Sequence, residues 1–213
     1  MIYAIDVGST IPKRDGVAFA WCGVDDSGNE VCGGTCPEDL VKEIALRIKA
    51  GESVALGIEA PLFIPVPSHK SNLSKGRVNE RDRSWAAPPG GYVATLAVHQ
   101  CAWLLRELYG KCGGLCQITA DPLAWYSRDT QQVLFCWEAF VSGQAHAGHA
   151  DDARTAAMYF HANQVQLVSA VTAESPLSLF GAAVLWSGWS EDSEWLKMPM
   201  VVLRPDKPWV ARS

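Results

Sequence analysis

The chain has 213 residues, is 48% hydrophobic and 19% charged, and carries a formal net charge of −5 with an isoelectric point near 5.5. This length and balance suit one domain with a sizeable core, and the acidity argues against a non-specific basic coat for nucleic acid while leaving a local basic groove open. No run approaches the ~18 uncharged apolar residues of a spanning helix, and no positive segment precedes the apolar start, so a soluble cytoplasmic protein with no membrane partner is expected.

Met1–Ile5 is an apolar run that ends in Asp6-Val7-Gly8-Ser9-Thr10. Residues 2–7 read as a strand apolar on both faces, as expected for the centre of a sheet. Val17–Val24 reads as a second strand, Asp25-Asp26-Ser27-Gly28-Asn29 as a hairpin turn, and Glu30–Thr35 as an edge strand. Pro37-Glu38-Asp39 opens a helix, with proline at its first position and acids in its first turn. Leu40, Ile44 and Ile48 form its core stripe, and Gly51 its stop. Val54–Glu59 is a fourth strand. Its helical crossover implies parallel pairing with the first.

Pro61–Tyr92 differs in kind. It holds Pro61, Pro65, Pro67, Pro88 and Pro89, and sets Lys70, Lys75, Arg77, Arg81 and Arg83 against Glu80 and Asp82. It reads as a basic, proline-rich insert of about 61–92 within a single domain spanning 1–213, and long ordered loops are often functional. Val93–Tyr109 has a helical apolar face. Leu115–Thr119 reads as a fifth strand, Gln131–Val141 as helix, Ala150–Gln164 as helix, Leu177–Trp186 as a short helix and Met200–Leu203 as a late strand. The seven cysteines are expected to be reduced. Cys32-x3-Cys36 and Cys112-x3-Cys116 leave a zinc site as an open alternative. The nine tryptophans are expected to serve packing.

A carboxylate at the tip of a buried strand is costly unless it is paired or holds a metal. If the first and fourth strands are neighbours, Asp6 and Glu59 lie side by side at the sheet end where ligands gather. His149 and Asp152 are three apart, on one helical face; Asp151 is the adjacent competitor for a metal, about 100° around the helix. Two carboxylates about 4 Å apart repel by roughly 4 kcal/mol at an effective dielectric near 20. A divalent cation removes that cost, and hard oxygen ligands select Mg2+ or Mn2+. Arginine-rich stretches suit phosphate contacts, so Lys75, Arg77, Arg81 and Arg83 are candidates to hold substrate phosphates.

The order of elements, with Tyr3-Ala-Ile-Asp6-Val-Gly-Ser, Gly57-Ile-Glu59-Ala and His149-Ala-Asp-Asp152-Ala, resembles the RNase H-like superfamily. Within it the motifs are similar to those of RuvC-like Holliday-junction resolvases and of a family of uncharacterised predicted bacterial RNase H-like nucleases. The resemblance covers about residues 1–60 and 93–165. It implies an α/β fold, with a mixed sheet of three antiparallel then two parallel strands and helices on both faces. It implies a divalent-metal-dependent nuclease in which Asp6, Glu59, Asp152 and His149 are catalytic and a nucleic acid is the partner. Resolvases of this type act as dimers, which makes a homodimer an expectation. Asp6-Val-Gly8-Ser9-Thr10 is also similar to the first phosphate loop of sugar kinases and actin-like ATPases. A small nucleotide-binding enzyme, or a binding module that kept the fold without the chemistry, are the alternatives.

Overall fold

A computed structural model describes residues 1–11, 18–80 and 84–209. The sheet grows outward from β1 (Ile2–Asp6), which is buried along its whole length. β2 (Ala20–Val24) pairs antiparallel with β1, and β3 (Glu30–Gly34) antiparallel with β2. The expected start of the second strand, at Val17, lies outside the described residues. α1 (Pro37–Lys49) follows, with Glu38 and Asp39 in its first turn and Arg47 and Lys49 in its last, an order that complements the helix dipole. It crosses to β4 (Val54–Glu59), which pairs parallel with β1 in a register that sets Asp6 against Glu59.

β7 (Val133–Ala139) lies parallel to β4 on the far side. Sequence periodicity puts Gln131–Val141 in a helix; the structure makes its centre a strand buried at every position. A short apolar run buried on both faces has no period to distinguish strand from helix, so tertiary context decides. The strand expected at Leu115–Thr119 is β6 (Gln117–Thr119), at the edge beyond β7. The short β9 (Val202–Leu203) pairs with the other end of β7. The mixed sheet thus has seven strands, with four (β4, β7, β6 and β9) rather than two beyond the antiparallel unit.

Helices cover both faces. Alternation along the strands sends Tyr3, Ile5, Leu56, Ile58, Leu134 and Cys136 to a core shared with α1, α2 (Pro88–Cys112) and α5 (Leu179–Ser187). It sends Ile2, Ala4, Ala55, Phe135 and Trp137 to a second core with α3 (Pro122–Tyr126) and α4 (His149–Asn163). Gly57 makes that second core possible. A Cβ there would lie 2.2 Å from the Trp137 ring, which stacks on Phe160 with centroids 4.9 Å apart, a pairing worth about 0.5–1.5 kcal/mol beyond burial.

The 61–92 segment is not a bare loop. β5 (Phe63–Pro65) pairs with β8 (Pro176–Ser178), and Val78 bridges Thr172. α2 begins at Pro88 rather than Val93, because Pro88-Pro89 occupies first-turn positions where no N–H partner is needed. Among the described residues no helix is long and apolar enough to cross a membrane.

Candidate metal centre

Three elements converge at the C-terminal end of β1 and β4. Asp6 and Glu59 sit in register on adjacent parallel strands. Each follows Ala4 or Gly57 by two residues, so both project towards the α4 face. Ala139, the register partner of Glu59 on β7, is small and leaves the space beside it open. Asp152 comes from the first turn of α4 and is 1% exposed. One ligand oxygen from each of Asp6, Glu59 and Asp152 lies within 4.8 Å of the others, the one such cluster of His, Cys, Asp or Glu among the described residues. Cys32, Cys36, Cys112 and Cys116 therefore form no four-thiol zinc site.

The turn before α4 explains how Asp152 is held. Gly143 (φ 62°) and Gly148 (φ 147°) adopt backbone angles that side chains disfavour. The chain folds back so that Ala147 N–H donates to Asp152 Oδ1 at 2.8 Å while Asp152 N–H donates to the Gly148 carbonyl at 2.7 Å. Asp152 thus does what any first-turn acid does, and in addition faces the cluster. His146, which spacing in the sequence does not single out, hydrogen-bonds through Nδ1 to Asp152 Oδ2. The readable signal was two histidines three apart, framed by glycines, just before an acid pair. His149 bonds through Nδ1 to Asp6 Oδ2 at 2.6 Å rather than serving Asp152. Both imidazoles are about half exposed and stand at the mouth of the cavity.

The cavity is about 190 Å3. Its floor is the three carboxylates and its walls are apolar, with Pro61, Pro89, Val93, Phe140 and Val141 on one side. Burial pushes the Asp6 carboxyl up to about 6 from its usual 3.8. The His149 bond opposes that rise, and the charge of Asp152 adds to it. A carboxylate held against its own ionisation by burial and a like charge is one that a cation would relieve. The donor set, three carboxylates in reach of one point, fits Mg2+ or Mn2+.

Two expected site groups lie elsewhere. Asp151 points away and pairs with Arg154 Nη1 at 2.5 Å; one step along a helix turns a side chain about 100°. Arg77 is not a surface phosphate ligand. Its guanidinium is fully buried and donates to both oxygens of Glu138 at 2.7 Å, to Glu80 at 2.8 and 3.1 Å, and to the Phe63 carbonyl at 3.4 Å. Composition showed the insert's charge but not that β7 carries a buried acid to receive it. Lys75 is exposed and lines a different cavity, beside Pro65 and Glu174. Arg81 and Arg83 lie outside the described residues.

The Gly8-Ser9-Thr10 tail borders a separate groove. A Cβ on Gly8 would lie 2.2 Å from the Ala18 carbonyl oxygen, so close packing of the β1–β2 connection accounts for this glycine without a phosphate. Comparison with known proteins finds no matching family model, no matching curated protein and no matching solved structure.

Proposed function

We propose that the chain is a divalent-metal-dependent phosphodiesterase of the RNase H-like type, acting on nucleic acid. The carrying observation is the meeting of Asp6, Glu59 and Asp152 oxygens within 4.8 Å from three separate elements, with Asp6 strained against ionisation. The antiparallel three-strand start, the helical crossover and the parallel fourth strand support the same reading.

Asp6, Glu59 and Asp152 would hold Mg2+ or Mn2+, which when bound supplies an activated water and charge stabilisation for a leaving oxygen. His149 fixes one oxygen of Asp6 and leaves its Nε2 as the ring atom for proton transfer at the cavity mouth. His146 and the Ala147 amide hold both oxygens of Asp152 in one orientation.

The test is calorimetry with Mn2+ and Mg2+, together with cleavage assays on single strands, duplexes, hybrids and branched junctions. Metal binding lost in Asp6→Asn and metal-dependent cleavage of any of these substrates is the expected result. No metal binding and no cleavage would leave the binding-module alternative.

A further inference from the structure

We propose that the groove running from the carboxylate cavity along α2 seats unpaired nucleobases, so that the substrate is single-stranded nucleic acid. This rests on the phosphodiesterase reading above. The groove has a volume of about 570 Å3 and is lined in part by Phe19, Tyr92, Leu96, His99, Gln100 and Trp103. Its lining adjoins that of the carboxylate cavity along two elements. Asp6 and Val7 line the cavity and Gly8 the groove; on α2, Pro89, Gly90 and Val93 line the first, and Tyr92 and Leu96 the second. A strand with its scissile phosphate over Asp6, Glu59 and Asp152 would therefore continue into the groove.

The chemistry of the lining says which part of the strand fits. Tyr92, Leu96, His99 and Trp103 recur at helical spacing and fall within about 60° of one another around α2. Over roughly 16 Å they present three rings in a row. Tyr92 is 69% exposed and His99 is exposed, while Trp103 is half-buried against the core. Rings in a row are the device by which proteins hold single strands, since every base offers a π-face. The described lining is largely apolar or aromatic and includes Glu38, a surface that offers contacts to neutral bases. Gln100 adds a second pointer: its Nε2 donates to the Gly8 carbonyl at 2.6 Å, whereas its buried Oε1 has no hydrogen-bond partner. A buried acceptor left in that state is expensive, and the N–H groups of a base would satisfy it. A paired duplex buries its base faces and offers this groove nothing.

The test uses the full chain and fluorescence anisotropy in calcium, with four labelled probes: a twelve-residue oligo-dT, a twelve-residue oligo-U, an abasic strand of the same length, and a duplex. Manganese affinity is measured separately by calorimetry. The expected result is that one or both base-bearing strands bind at least tenfold tighter than the abasic strand and the duplex. Tyr92→Ala and Trp103→Ala should each weaken that binding by about fivefold or more with manganese affinity unchanged. Trp103 also packs on the core, so if its variant does not fold, Tyr92→Ala and His99→Ala decide. Equal binding of the abasic strand or the duplex, or Tyr92→Ala and His99→Ala both within twofold of the parent, would overturn the groove. Manganese bound normally alongside ring-independent strand binding removes the groove alone. Ring-dependent strand binding without manganese binding removes the metal reading alone.

Discussion

Two groups of carboxylates stand back to back at the ends of β4 and β7. Glu138 lies opposite Ile58 in the register and Ala139 opposite Glu59, so Glu138 and Glu59 leave the sheet on opposite faces. On the Glu138 side all five guanidinium N–H donors of Arg77 have acceptors, and Leu62 N–H donates to Glu138 at 2.9 Å. Glu80, its side chain fully buried, also receives Trp85 N–H at 3.2 Å. On the Glu59 side three acids meet imidazoles and backbone amides, and no Lys or Arg is among the described residues that line their cavity. Buried charge with its counter-charge built in ties the insert to the sheet. Buried acids that open to a cavity without a Lys or Arg among its described lining are what the proposed metal reading rests on.

The sharpest break of that contrast is Arg77→Met. It would leave Glu138, 1% exposed, without its cation. Burial already pushes the Glu138 carboxyl up, with Arg77 opposing. Removing one partner of a buried pair costs about 3–5 kcal/mol, so urea denaturation should show a loss of that size. Adding Glu138→Leu should recover part of it, because one of the two carboxylates orphaned by the loss of Arg77 goes too, while Glu80 stays. A loss under about 1 kcal/mol for Arg77→Met alone would mean that the two clusters do not differ in kind.

Asp6→Asn probes the other side and should act with the opposite sign. The folded pKa of Asp6 is raised, from 3.8 to about 6, so between those values the metal-free folded state holds a proton that the unfolded state has released. This group's contribution to stability is therefore fully present below pH ~4. It is lost as pH rises to about 6, by at most about 3 kcal/mol at 1.36 kcal/mol per pH unit. Asp6→Asn should flatten that slope and raise metal-free stability at pH 7 by about 1–3 kcal/mol, since an amide oxygen still accepts from His149, while abolishing metal binding. Thermal melts from pH 4 to 7, with and without Mn2+, check both. Unfolding of the variant would make Asp6 a structural acid like Glu138.

His146→Ala should have a smaller effect. Asp152 keeps its backbone donors but loses the imidazole that orients its second oxygen. Loss of such a supporting partner lowers metal affinity about tenfold, or 1.4 kcal/mol. Calorimetry that showed no change would assign His146 to the surface.

How far these features could be read in the sequence depended on whether their partners were local. The meander, α1 and the Asp6–Glu59 pairing followed from turn residues, helix ends and a crossover, all short-range signals. β7 did not, since Val133–Ala139 is apolar at six of its seven positions and has no alternation to read. Arg77 failed for a related reason. Its partner Glu138 is 61 residues away on a strand read as helix, so a stretch of cations looked like an exposed patch. His146 is not singled out by helical spacing, because its position is made by two glycine bends; the glycines around the two histidines are its one signal.

Asp151 gives the smallest expected effect and the cleanest control. It neighbours Asp152 in sequence and has the same charge, yet its side chain is 56% exposed and its partner Arg154 also bonds Glu30 at 2.6 Å. An exposed pair of this kind contributes under about 0.5 kcal/mol. Asp151→Asn should therefore leave melting temperature and Mn2+ affinity within error of the parent, while Asp152→Asn loses the metal. Equal losses from the two would mean that net negative charge near the start of α4 attracts the ion, not a set of placed ligands. Unequal losses one residue apart, with the melting temperature of Asp152→Asn kept, would trace the ion to the direction in which each carboxylate points.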